Sequence, residues 1–149
     1  MELQHSKPAW KENANFVLGA EIVDPIWSKK YNIEQLAAHE LEDNKYEICC
    51  IPFMIYNLCL GDVVSVDSNY NIKSVIEFGG HFCFRVVVED ISQQSEVINS
   101  LYSMGNLVEI HSDKLFAVDA ADEPKAQELA NFLKKEEDKG ILKYETGKI

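Results

Sequence analysis

Arginine occurs once in this chain, at position 85, and 14 basic residues stand against 25 acidic ones, a formal charge of −11 at pH 7. A surface so short of cations repels a phosphate backbone or an anionic leaflet. Neither nucleic acid nor membrane is expected as a direct partner, whereas a basic protein is. Long apolar runs are also missing, and nothing approaches the roughly 20 residues of a membrane-spanning helix. The opening Met1-Glu2-Leu3-Gln4-His5 lacks the basic-then-apolar pattern of a secretory leader. The expected compartment is the cytoplasm.

The four cysteines, at 49, 50, 59 and 83, include no C-x-x-C pair. Zinc sites use Cys or His pairs about two to four residues apart, and the vicinal Cys49 and Cys50 point to opposite faces of a strand. No metal and no cofactor is expected, and the thiols read as buried and reduced. Phosphate-cradling glycine loops, the H-E-x-x-H zinc motif and the G-x-S-x-G nucleophile elbow are absent too, which lowers the odds of an enzyme.

What the chain does have is apolar material: 46% of its 149 residues, enough for one folding unit with its own core. The least charged stretch runs from Cys49 through Ile51-Pro52-Phe53 to Leu60-Gly61-Asp62-Val63-Val64. It reads as a strand end, a turn at Pro52, an irregular piece and a new strand, placed where a core is sealed.

Taken in order, residues 1–14 show no periodicity and read as a loose lead-in, with Trp10 as an anchor. Residues 15–80 read as a small antiparallel β-lobe. Its strands are Phe16–Ile22, a hairpin around Glu42-Asp43-Asn44-Lys45, and the pair Asp62–Val66 and Ile72–Phe78, forming a curled sheet or partial barrel. A helix over 34–41 is the rival reading of the first hairpin arm.

Residues 81–149 change period. A strand at His81–Glu89 puts Phe82, Phe84, Val86 and Val88 on one face. A helix follows, with Ser92 as cap, Val97, Ile98, Leu101 and Met104 on one side and Gly105 at its end. Strands at 107–111 and 115–119, a helix from Asp122 to Gly140 and a strand at 141–145 complete a βαββαβ order, which predicts a ferredoxin-like half. The expected class is therefore α+β.

Tyr46 to Phe53, Leu60-Gly61-Asp62-Val63-Val64, Arg85-Val86, Met104-Gly105 with Glu109, and Gly140 with Tyr144-Glu145 together resemble an uncharacterised bacterial domain family with an IPF…LGDVV core. The resemblance spans Phe16 to Tyr144. It implies the same two-part layout and carries no established activity.

Three places invite chemistry. His81, Cys83 and Arg85 share a strand face, but neighbours two apart on a strand stand roughly 6–7 Å apart, too far for a thiol–imidazole hydrogen bond. Arg85 is expected in a structural ion pair with a carboxylate, Asp62 first and Glu77 second. Asp62, after Gly61, is expected to accept turn amides, and His39 and His111 read as edge histidines.

The acidic clusters, Glu40 with Glu42 and Asp43, Asp119 to Glu123, and Glu136, Glu137 and Asp138, read first as solvated turns and helix ends. The last group stands at a helix C-terminus, where the dipole disfavours negative charge. Glu40, Glu42, Asp43, Glu136, Glu137 and Asp138 are therefore the expected partner-binding residues. The functional expectation is a small acidic immunity protein that fills the cationic cleft of a basic bacterial toxin, a nuclease above all. A ligand-sensing ferredoxin-like domain is the alternative, and a Cys/His enzyme at the 81–85 strand stands behind both. No catalytic residues are expected.

Overall fold

Burial alternates along the first half of the chain and follows helical spacing in much of the second, and the two halves build two sheets. The computed structural model describes residues 1–148. The first sheet holds β1 (Glu2–Leu3), β2 (Phe16–Glu21), β3 (Ile33–Glu40), β4 (Lys45–Ile48), β5 (Val63–Val66) and β6 (Ile72–Glu77). Its hydrogen-bonded order is β1-β3-β4-β5-β6, with β2 also paired to β3. All neighbours are antiparallel except β1, which runs parallel to β3. Residues 34–40 are thus strand, not helix.

The β3–β4 hairpin reverses through Asp43 and Asn44, both at φ 59°. Two positive φ values in a row match the twist of the flanking strands, and Asn and Asp tolerate them. The sheet curls until β2 meets the start of β6, where the Gly19 amide donates to the Tyr70 carbonyl at 3.0 Å. A side chain at Gly19 would put Cβ 2.4 Å from Asn71 Oδ1. Leu18, Leu36, Tyr46, Ile48 and Val64 fill the interior.

The second sheet holds β7 (Phe82–Val88), β8 (Leu107–Ile110), β9 (Leu115–Ala120) and β10 (Leu142–Thr146), in the antiparallel order β10-β7-β9-β8. Helices α1 (Gln94–Ser103) and α2 (Glu123–Asp138) connect β7 to β8 and β9 to β10. Their buried stripes, including Leu101, Leu129 and Leu133, pack with Phe84, Val86 and Val88. The cap expected at Ser92 falls on Asp90, whose carboxylate takes the Ser92 amide and starts a short 3-10 turn before α1. Asp122 caps α2 through the Lys125 amide at 2.9 Å. Gly105 and Gly140, at φ 87° and 78°, follow the helix ends. The molecule is a mixed α+β protein built mostly of strands.

Residues 1–14 correct the expectation of a loose lead-in. Leu3 is 1% exposed, β1 joins the sheet, and the Trp10 amide donates to the Cys49 carbonyl. Isolated anchoring side chains hold this segment, so it shows no period. A third apolar cluster takes Leu3, Ile51, Phe53 and Leu60 from the first half and Cys83, Leu115 and Ala117 from the second. The stretch from Ile51 to Leu60 therefore lies in the seam between the sheets, while Cys49, Cys50 and Val64 at its ends stay in the core of the first.

Candidate functional site at the seam between the sheets

Pro52 has no amide hydrogen, and the irregular backbone around it leaves other amides without a strand to pair with. Two carboxylates meet that need. Glu34 on β3 accepts from the Phe53 and Met54 amides, both at 2.8 Å. Glu109 on β8 accepts from the Ile51 and Ala9 amides. The His5 ring lies between them, with Nε2 2.6 Å from Glu34 and Nδ1 2.7 Å from Glu109, and it stacks on Phe53 at 4.3 Å. The side chains of His5, Glu34 and Glu109 are 1%, 0% and 3% exposed.

Burial pulls His5 towards neutrality, but the adjoining Cys50 and the hydrogen bonds the ring donates to Glu109 and Glu34 outweigh it, and its pKa lies well above the ordinary value. A protonated ring donates from both nitrogens, one to each carboxylate. Breaking such a buried set by removing one member costs about 3–5 kcal/mol, because a charge is then stranded. The arrangement is a clamp. It holds the Ile51-Pro52-Phe53 turn against both sheets.

Arg85 lies on β7, opposite Glu145 of β10, on the face turned away from the helices. Its Nη2 donates to the Ile55 carbonyl. Its guanidinium carbon sits 4.6 Å from the centre of the Tyr56 ring, and Nη1 is 3.9 Å from Glu145 Oε1. That oxygen accepts from the Tyr56 hydroxyl at 2.7 Å. Nε and Nη1 are buried without a hydrogen-bond partner among the described residues. Each unsatisfied buried donor costs about 1–3 kcal/mol or more.

The expected Arg85–Asp62 ion pair is not formed. Asp62 spends its two oxygens on the Cys59 and Gly79 amides, at 2.9 and 2.8 Å, as a carboxylate at a tight turn does. Arg85 lines a cavity of about 170 Å³ together with Trp27, Phe53, Met54 and Tyr144.

At another part of the seam, His81 Nδ1 lies 2.9 and 3.0 Å from the two Asp119 oxygens, and Trp10 meets the ring edge-on. Burial lifts Asp119 to about 6, against the pull of His81. The Cys83 thiol turns elsewhere, to the Leu58 carbonyl and to Cys59, each at 3.5 Å. Cys83 is pushed well up by its hydrogen bond with Cys59 and by burial. The strand thus does not place the thiol on the imidazole. His39 bonds the Asn13 carbonyl, and His111 packs against Trp27, Tyr31 and Phe53.

The six expected partner-binding carboxylates fall into two settings. Glu136 pairs with Lys139, Asp138 pairs with Lys134, and Glu137 accepts from the Tyr144 amide. The charge at the end of α2 is therefore offset locally. Glu40, Glu42 and Asp43 stand exposed at the β3–β4 hairpin, where Glu40 accepts from the Tyr46 hydroxyl at 3.2 Å. None of these three carries an ion pair among the described residues.

The interval from Glu34 to Tyr144, which contains both clamp carboxylates, the Ile51-Pro52-Phe53 turn and Arg85, matches the family described as Domain of unknown function (DUF4265). The chain belongs to that family. The matched residues take in β4 to β9 and both helices, with most of β3 and part of β10, while β1, β2 and His5 lie before them and Glu145 just after. The fold of this DUF4265 chain is similar to a solved structure titled "Novel crystal structure of a hypothetical protein from Neisseria gonorrhoeae". The TM-score is 0.72 at 21% identity, over 87% of this chain and 91% of that one. No curated protein matches. Among the described residues no three His, Cys, Asp or Glu side chains are grouped to hold a metal ion, and no helix is long and apolar enough to cross a membrane.

Proposed function

We propose that this chain is an acidic binding protein, an immunity protein that occupies the cationic active-site cleft of a basic toxin, with nucleases as the first class to try. The observation that carries the reading is the hairpin tip. Glu40, Glu42 and Asp43 project there with no ion pair among the described residues, three carboxylates against the one nearby cation Lys45, on a turn whose backbone is fixed at two positive φ positions. A catalytic cleft that binds phosphates is lined with Lys and Arg, and a rigid carboxylate cluster presents matching charge to it. The overall −11 charge steers the encounter. The α2-end carboxylates drop out of the contact set because their charge is spent on Lys134, Lys139 and the Tyr144 amide.

The finer architecture belongs to the same reading. The βαββαβ half, with strand order β10-β7-β9-β8 and helices on one face, is a ferredoxin-like unit, and the first sheet is a partial barrel. On this reading the two parts form one folding unit that presents the hairpin from its barrel end.

The experiment is calorimetric titration of the purified product of the neighbouring gene with the full chain and with a Glu40→Gln, Glu42→Gln, Asp43→Asn variant, at low and high salt. The expected result is tight, salt-sensitive binding that the variant weakens by about a hundredfold, an energy of roughly 2.7 kcal/mol. Binding no tighter than micromolar, or equal binding by the variant, overturns the proposal.

A further inference from the structure

We propose that the cavity beside Arg85 is a binding site for a small zwitterion, an α-amino acid with an apolar or aromatic side chain. The site is independent of the hairpin tip and stands whether or not that tip docks a protein.

Size comes first. At about 170 Å³ the cavity is close to the roughly 150 Å³ apolar cavity that admits benzene, so it takes one side chain of that order and no peptide. Its apolar lining comes from both halves of the molecule, with Trp27, Phe53 and Met54 on one side and Val87 and Leu115 on the other. A flat or branched apolar group fits such walls.

Charge then selects the rest of the ligand. Arg85 is 4% exposed, and two of its three nitrogens have no hydrogen-bond partner among the described residues. A purely structural arginine satisfies its donors when it is buried. Here the nearest carboxylate, Glu145, stays 3.9 Å from Nη1 and is bonded instead to the Tyr56 hydroxyl. Lys143, which also reaches Glu89 at 3.6 Å, adds a second cation to the lining. Together these groups call for an anion, and a carboxylate accepts charge-assisted hydrogen bonds from a guanidinium.

An anion alone, however, meets Glu145, which lines the same cavity. A simple carboxylate is repelled by it, and a simple amine is repelled by Arg85 and Lys143. A ligand carrying both groups satisfies all three. Its ammonium draws the half-exposed Glu145 side chain off the enclosed Nη1 of Arg85, its carboxylate takes the vacated place against the guanidinium, and its apolar body enters between Trp27 and Leu115.

The test uses the full chain with L-phenylalanine, 3-phenylpropanoate and phenethylamine as probes, read by thermal shift and calorimetry. L-phenylalanine is expected to raise Tm with dose and to bind about tenfold or more tighter than either half-ligand. Val87→Trp is expected to abolish the shift, because Val87 lines the cavity and is 39% exposed, so the larger ring fills the space without touching the core. Arg85→Lys is expected to weaken binding. Should Arg85→Lys fail to fold, Val87→Trp and Glu145→Gln decide the matter, the latter by raising 3-phenylpropanoate affinity to that of L-phenylalanine. No saturable binding of L-phenylalanine at millimolar concentration, unchanged binding by Val87→Trp, or 3-phenylpropanoate binding as tightly as L-phenylalanine to the unaltered chain overturns the proposal.

Discussion

Glu34 and Glu109, carried by different sheets, share the single imidazole of His5, which reaches one at 2.6 Å and the other at 2.7 Å. The ring is both a charge neutraliser and a spacer, since it also stacks on Phe53. His5→Ala leaves two buried carboxylates facing each other and is expected to lower stability by about 3–5 kcal/mol in urea denaturation. Adding Glu109→Gln to His5→Ala is expected to return part of that loss. A double variant less stable than His5→Ala alone would show that repulsion is not the cause.

The same ring sets a pH dependence. His5 holds its proton in the folded chain well above the ordinary value, so its stabilising contribution is complete below about pH 6.5 and is lost as pH rises through the folded pKa. Asp119, lifted to about 6 by burial, acts in the same direction over a lower window, from its usual 3.8 up to about 6. Denaturation midpoints measured across neutral to alkaline pH are expected to fall, and His5→Gln to flatten that limb alone.

Gly79 and Gly61 approach so closely that a Cβ on Gly79 would lie 2.5 Å from the Gly61 carbonyl oxygen. Backbone cannot swing aside as a side chain does. Gly79→Ala is expected to cost about 1–3 kcal/mol, or more if the Gly79 amide also leaves Asp62. Gly80→Asn is the control: the position is open, its φ of 86° lies in a region that Asn visits, and a near-neutral effect is expected.

All four cysteines are free and buried. Burial pushes Cys49 up to about 12 and raises Cys50 as well; the hydrogen bond with Cys83 lowers Cys59, but that thiol is 0% exposed and closed to a reagent. Thiol titration at neutral pH is expected to find no reactive cysteine in the folded chain and four after unfolding. Rapid labelling of Cys83 in the native state would reopen the Cys/His enzyme reading.

Much of the architecture was legible because period and punctuation agree. Phe82, Phe84, Val86 and Val88 alternate with Cys83, Arg85 and Val87, and the first set does meet the helices. Gly105 and Gly140 stop their helices as glycine after a helix does. The clamp was not legible. His5 sits in a segment without period, and its contact with Glu109 spans 104 residues, so no local pattern marks it.

The sequence points Arg85 to an ion pair with Asp62, and the structure sets Glu145 nearest to it instead. Strand register decides which carboxylate faces it, and register across β7 and β10 places Glu145 there, while Asp62 is consumed by its own turn. The carboxylates at the acidic end of α2 lie against the dipole, in ion pairs with exposed lysines.

The long reach of His5 also has a temporal side. During synthesis the imidazole leaves the ribosome early, yet Glu109 follows only after most of the chain, so the bridge is among the late contacts and pays a large closure entropy. Until β8 arrives, the Ile51-Pro52-Phe53 turn has Glu34 and the stacked His5 ring, but not Glu109, to hold it. A nascent chain halted before residue 109 carries its first sheet with one side of that turn unfastened, and this is the species on which a chaperone or protease would act.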